Sequence, residues 1–476
     1  MSATVQEHSP STIAELAAGP ALAIAEAVRS GRVSARAICE AALARIGVVD
    51  PRLNAFTHVT AVRALAEADA LDAARAAGKA LGPLAGVPFA VKNLFDLKGL
   101  PTLAGSKINK DRPAAARDAT LVERMVAAGA VCLGALNMGE YAYDFTGENI
   151  HAGNSRNPHD LGHMSGGSSG GSGSAVGGKL VPLSLGSDTN GSIRVPSSFC
   201  GIFGLKPTYG RLSRARSFPF VASLDHLGPF ARNVADLAAT YDALTGADAE
   251  DPAVADVSAL PTLPELERGA DGLRVGILGG WFARQGTPQA YDAVARAAAA
   301  LGAVRTVELP EAERARASAY LISMAEGAAL HRERLRDQPA DFDPAVRERL
   351  LAGAVLPAGM IVKAQNFRRW FHDRALELFA EFDVLIAPAT PVPAPRSGQV
   401  TFVLDGKEML VRPNIGIYTQ PISFIGLPVV AAPIPTEEPL PIGVQLIAAP
   451  WREDAALRAA RALELAGVAY APEPVL

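Results

Sequence analysis

The sequence predicts an α/β fold, a β-sheet covered by helices. Strand-like apolar runs such as "GVPFAVKNLF" and "VCLGALN" alternate with helix-patterned segments such as "DATLVERMVAAGA" and "VADLAATYDALTG". The chain has 476 residues, 49% of them apolar, which is enough to enclose a large core. Its 44 glycines and 35 prolines fall mostly at turns between patterned segments, unlike the composition of a disordered chain.

Residues 1–80 read as a mostly helical region packed on the core. "IAEAVRSG" looks like a helix stopped at Gly31, and "SARAICEAALARI" restarts behind Ser34, a good N-cap. "VRALAEADALDAARAAG" continues the helical character. Residues 81–250 bring the α/β alternation. Val87, Phe89 and Val91 alternate in a first strand, followed by a helix, the strand "VCLGALN" and the strand candidate "KLVPLSLGSDT". Residues 251–476 continue the same domain. A proline- and acid-rich connection at 251–272 leads to the strand "LRVGILGGW" and the helix "YDAVARAAAALGA". Residues 311–382 read as a helical insertion. "FDVLIAPATPVPAP" is then a strand, "GLPVVAAPIP" and "IGVQLIAAP" pair as late strands, and "REDAALRAARALELAG" closes the chain as a helix.

Composition excludes several functions. A net charge of −4 gives no pointer to a nucleic-acid partner, and no apolar run is long enough to span a membrane. The N-terminal stretch lacks the pattern of a secretion signal, so a cytoplasmic protein is expected. Cys39, Cys132 and Cys200 lie far apart in apolar surroundings and read as small buried hydrophobes. His151, His159 and His163 share a loop-like region without the helix or acidic cluster that a zinc site needs. No metal and no organic cofactor are expected.

The segment "GGSSGGSGS", Gly166–Ser174, calls for a chemical explanation. A linker would separate two differently composed regions, and none flank it. Gly173, Gly178 and Lys179 fit the spacing of a phosphate loop. Leu180, however, stands where a serine or threonine should hold magnesium, and no strand leads in. The third option is a site where backbone N–H groups crowd a reacting atom. "GSDTNGSIRVP" places Ser192 after a small-residue turn, the geometry of an oxyanion hole. A serine hydroxyl needs a base. No histidine stands in a hydrolase elbow, His226 included. Lys92 ends an apolar strand. Its amine is either desolvated enough to serve as that base or carried out to solvent on its stem. Asp188 and Arg194 flank Ser192 with opposite charges and read as a pair holding the turn.

Together "GVPFAVKN", "GGSSGGSG" and "GSDTNGSIRVPSSFCGIFGLKPTYGRLS" resemble the amidase signature family of serine hydrolases. The similarity extends to "GENI", "SRNPHD", "SLDHLGPFARNVADLA" and "PIGVQL". The resemblance implies a large mixed central sheet with helices on both faces, with 81–250 as the core carrying the catalytic residues. It implies a Ser–cisSer–Lys triad of Ser192 as nucleophile, Ser168 as bridging serine in a cis peptide, and Lys92 as base. The oxyanion hole would be the backbone N–H groups of Thr189, Asn190, Gly191 and Ser192. Asn190 stands where the family commonly has glycine, which reduces the freedom of the turn. Ser169 is expected either to donate a hydrogen bond at the site or to cap the loop.

Within the family, "VKNLFDLKGLPTLAGSKIN", "YTQPISFIGLPVVAAP" and "PIGVQLIAAPW" resemble enzymes that hydrolyse 1-carboxybiuret to urea-1,3-dicarboxylate and ammonia. That likeness implies a small, polar, carboxylated amide as substrate. It also implies a small helical partner subunit in a heterotetramer built on a dimer of the large chain. Arg412 is the expected carboxylate ligand, with Tyr418 and Gln420 adding polar contacts and Arg368 or Arg369 as alternative cations. The rival readings are a glutamine amidase subunit of a tRNA-dependent amidotransferase, a general aliphatic or aryl amidase, and a non-catalytic scaffold.

Overall fold

The computed structural model describes residues 10–476. The reading of the extreme N-terminus as free of a leader falls partly on residues outside them. Among the described residues no single helix is long and apolar enough to cross a membrane.

Eleven strands form one sheet, and two more form a separate hairpin. In chain order they are β1 (Phe56–Val59), β2 (Pro88–Lys92), β3 (Val131–Leu136), β4 (Leu183–Asp188), β5 (Phe203–Lys206), β6 (His226–Ala231), β7 (Val275–Leu278), β8 (Arg305–Val307), β9 (Val384–Pro388), β10 (Thr401–Leu404), β11 (Lys407–Leu410), β12 (Val429–Ile434) and β13 (Ile442–Ala448). The sheet runs β1-β3-β2-β4-β6-β5-β12-β13-β9-β7-β8, and β10 pairs with β11. It is mixed. β2 lies parallel to both β3 and β4, and β7 is parallel to β8 and β9, while β12 and β13 are antiparallel. Every residue of β2, β3, β4, β6, β12 and β13 is buried, so the centre of the sheet is covered on both faces. The α/β expectation therefore holds. β2 corrects the expected alternation: "PFAVK" is buried on both sides, as continuous apolar strands inside α/β sheets are.

The helical readings hold where the pattern was long. Ser34 accepts a hydrogen bond from Ala37 N at 3.0 Å and caps the Ala35–Leu53 helix. The insertion is built from the helices Ala312–Leu330, Arg332–Asp337, Pro344–Ala354 and Ala358–Phe379. β1 interrupts the mostly helical N-terminal region, and half of the glycine–serine run is itself a buried helix, Gly170–Gly177. Glycine is a poor helix former, so packing decides here. A Cβ on Gly171 would come within 2.5 Å of Ala55 O and Asn137 N, and the absent side chain lets this helix lie against that backbone. Cys39, Cys132 and Cys200 are buried and unpaired.

Candidate active site

The site lies at the C-terminal ends of two neighbouring central strands. β2 ends at Lys92, and β4 ends at Asp188 beside it. β2 lies between β3 and β4 inside the sheet, and Lys92 at its end is fully buried. Its Nζ lies 2.6 Å from Ser168 Oγ, 3.0 Å from Ser169 Oγ and 2.8 Å from Ser187 Oγ. Burial pushes the Lys92 amine down to about 7, since the buried site disfavours its ammonium form. The Gly167–Ser168 peptide is cis. Ser169 does not cap the following helix with its side chain. It accepts from Lys92 and donates to Ser187 O at 3.1 Å.

The turn after β4 carries Ser192. Among the described residues, the backbone N–H groups of Thr189, Asn190, Gly191 and Ser192 donate to no protein acceptor, whereas Ile193 N donates to Asp188 Oδ2 at 3.2 Å. The positive φ of the turn, +144°, falls on Gly191 and not on Asn190. The asparagine therefore introduces no left-handed strain. A Cβ on Gly191 would stand 2.2 Å from Thr419 Oγ1, the group that donates to Asn190 O at 2.7 Å.

Behind the turn, Asp188 and Arg194 form a fully buried bidentate pair, with Nε–Oδ2 and Nη2–Oδ1 both at 2.9 Å. Burial works against the Asp188 carboxylate, but the Arg194 guanidinium outweighs it and holds the acid below the usual range. Arg194 Nη1 also donates to Gln445 Oε1 at 2.6 Å and to Thr419 O at 3.1 Å, which ties the turn to β13 and to the Thr419 segment.

Ser192 opens on a small cavity also lined by Ala142, Tyr143, Asp144, Phe145, Asn190 and Gln420, with Tyr320, Ser323 and Arg349 from the helical insertion. The structure places four of the expected substrate-binding residues off the lining of this cavity. Arg412 does not line this cavity, and its guanidinium engages Asp144 at 2.7 Å and Glu148 at 2.9 Å. Tyr418 is fully buried and donates to Arg284 O. Arg368 and Arg369 face a surface groove with Tyr209, His372 and Trp451. Gln420 does reach the cavity, with its Oε1 taken by Arg316 at 2.9 Å. The residue that sequence reasoning missed is Arg349. It stacks over the Tyr143 ring at 3.8 Å, donates to Ala345 O and Tyr143 O, and has no ion-pair partner among the described residues. No local motif marks it, because the fold alone brings the Pro344–Ala354 helix to Ser192. The three loop histidines go separate ways, to Glu140, Cys200 O and Asp160.

The Amidase family model matches residues 37–457. The chain belongs to the amidase signature family. It is an amide-hydrolysing enzyme. Among curated relatives, it is 54% identical to AtzE, the 1-carboxybiuret hydrolase subunit of Pseudomonas sp. (strain ADP), over 94% of this chain and 98% of that protein. It is 39% identical to a glutamyl-tRNA(Gln) amidotransferase subunit of Chromohalobacter salexigens, over 93% of each. Among solved structures, one described as a vestigial protein complex revealing the evolutionary origins of an s-triazine catabolic enzyme superposes with a TM-score of 0.94. That match has 53% identity and covers 95% of this chain and all of that one. A 6-aminohexanoate cyclic dimer hydrolase solved with substrate gives a TM-score of 0.86 at 30% identity, covering 96% of this amidase and 99% of that chain.

Proposed function

We propose that this amidase hydrolyses the terminal carboxamide of a small carboxylated urea-like substrate, 1-carboxybiuret, to urea-1,3-dicarboxylate and ammonia. The observation that carries the reading is Arg349, a cation without an ion-pair partner among the described residues, on the wall of the cavity that holds Ser192. Its fork suits a substrate carboxylate. The 54% identical relative named for that substrate supports the same reading.

The chemistry follows from the hydrogen-bond arithmetic at Lys92. A neutral amine has two hydrogens and one lone pair. The Ser169 hydroxyl donates to Ser187 O, so its oxygen accepts from Lys92. Ser187 takes the second amine hydrogen. The lone pair then faces Ser168 at 2.6 Å and accepts that hydroxyl's proton. Ser168 in turn takes the Ser192 proton as Ser192 attacks the amide carbon. The unpaired N–H groups of the turn receive the oxyanion, and Ser168 returns the proton to the departing nitrogen. Water releases the acyl group by the same relay.

The second reading is a glutamine amidase, favoured by the 39% identical amidotransferase relative. Glutamine carries an ammonium beside its carboxylate. Asp144, the acid on the cavity wall, is already neutralised by Arg412, which favours a substrate without an ammonium. A small partner subunit remains part of the proposal, supported by the neighbour described as a protein complex.

The test is ammonia release from 1-carboxybiuret, biuret, glutamine and an aryl amide, by the wild type and Ser192→Ala, with and without a co-expressed small subunit. Release from carboxybiuret that Ser192→Ala abolishes is the expected result. Release from glutamine alone would overturn the substrate and leave the serine mechanism standing.

A further inference from the structure

Among the described residues, two that line the Ser192 cavity carry a buried polar atom without a hydrogen-bond partner, Tyr143 Oη and Asn190 Oδ1, and the second is the one held in place. Asn190 is 7% exposed, and its Nδ2 donates to Ser323 Oγ at 2.8 Å. The Ser323 hydrogen is already used, because Ser323 Oγ donates to Ala319 O at 2.8 Å. Ser323 can therefore only accept from Asn190, which fixes which end of the amide faces it. The other end, Asn190 Oδ1, is buried and has no hydrogen-bond partner among the described residues. The backbone of the same residue is held by Thr419, so the side chain cannot swing away without disturbing the turn. A buried carbonyl fixed at both ends, on a residue that lines a ligand cavity, is built to receive a donor from the ligand.

We propose that Asn190 is a specificity-determining residue: its Oδ1 accepts an N–H on the acyl side of the scissile carbonyl. The inference rests on the urea-like substrate reading above and adds what the site recognises in it. The leaving nitrogen has to face Ser168, which returns its proton. Asn190 is tethered instead to the Ala312–Leu330 helix, beside Tyr320, Ser323 and Arg349 on the insertion wall. Urea-type substrates carry N–H next to the scissile carbonyl, whereas ordinary carboxamides carry carbon there. A carbon neighbour leaves Oδ1 desolvated and unpaired, so the site discriminates against it.

Allophanate and malonamate test this directly. Both carry a carboxylate and a terminal carboxamide, and they differ by N–H against CH2 beside the scissile carbonyl. Their dissociation constants are measured by calorimetry in a Ser192→Ala background, which removes turnover. Allophanate is expected to bind on the order of 10–100-fold more tightly than malonamate. Adding Asn190→Gly should bring the two within about threefold, through weaker allophanate binding. Ser323→Ala, which releases the tether and leaves Asn190 itself in place, should lose part of the preference. It decides the matter if Asn190→Gly does not fold. An unchanged ratio in the variant that folds overturns the role of Asn190, as does equal binding of both ligands by the Ser192→Ala parent. Either outcome leaves the amidase reading intact. If neither ligand binds the parent, the urea-like substrate reading fails and the inference fails with it.

Discussion

On the sheet side of the cavity, buried Lys92 is held by hydrogen bonds to Ser168, Ser169 and Ser187, and Ser169 is fixed in turn on the Ser187 carbonyl. On the insertion side, Asn190 Oδ1 has no partner and Arg349 has no ion pair among the described residues. The first wall is complete without substrate, as proton relays require, since their geometry must precede the reaction. The second wall is complete only with substrate. The difference teaches where catalysis and selection are separately held. Perturbing the sheet side should remove the rate or the fold, and perturbing the insertion side should change which amide is accepted.

The largest effect is expected at Lys92. Lys92→Met fills the same space without a base, and kcat should fall by roughly 10³-fold or more, with the circular dichroism spectrum unchanged. The wild type offers an independent check. Only the neutral amine can take a proton, and burial places Lys92 at about 7. Below that pH, kcat/KM should fall about tenfold per unit, and above it the limb should level off. An enzyme with constant kcat/KM down to pH 5 would break the assignment of the base.

Next comes the pair behind the turn. Asp188→Asn leaves Arg194 buried without its counter-charge, and the cost should be about 3–5 kcal/mol in urea unfolding. A loss below about 1 kcal/mol would mean that water reaches the guanidinium, and the turn would be less rigid than this comparison requires.

The same division explains what the sequence revealed. β12 and β13 are legible as continuous apolar runs, and β2 is legible as a strand though not as one buried on both faces. β1 is four residues with a polar centre, and β6 contains glycine and proline, so local pattern hides both although the sheet accepts them. The Gly170–Gly177 helix runs against its own propensity and exists because its backbone fits between Ala55 and Asn137. Lys92 and Ser192 could be singled out because strand ends and tight turns leave local signatures. Ser168 needed the family resemblance, since nothing in "GGSSGG" distinguishes its first serine. Arg349 and Ser323 could not be found locally, because they reach Ser192 only through the packing of helices distant in sequence.

On the insertion wall, Arg349→Gln should lower kcat/KM toward a carboxylated amide by about 100-fold, mainly through KM. Malonamide, which has no carboxylate, should be affected less than about threefold. Equal losses on both substrates would make Arg349 a structural residue and erase the contrast between the two walls.

Arg412 should give the smallest effect, and it discriminates between the sequence expectation and the structure. Its Nη1 holds Asp144 Oδ1, and its Nη2 holds Glu148 Oε2. Asp144 Oδ2 accepts from Thr146 N at 2.9 Å and Gly147 N at 2.8 Å, which closes the turn. That turn in turn receives Gly166 N on Thr146 O and Gly167 N on Phe145 O, immediately before Ser168. Arg412 therefore acts on the sheet side, two contacts removed from the relay. Arg412→Ala should lower kcat a few-fold, reduce thermal stability by about 1–2 kcal/mol and leave KM for a carboxylated substrate unchanged. The pair is about a quarter exposed on the arginine side, so solvent replaces part of what is lost. A rise in that KM comparable to the Arg349→Gln effect, without loss of stability, would return the carboxylate to Arg412 and move substrate recognition away from the insertion.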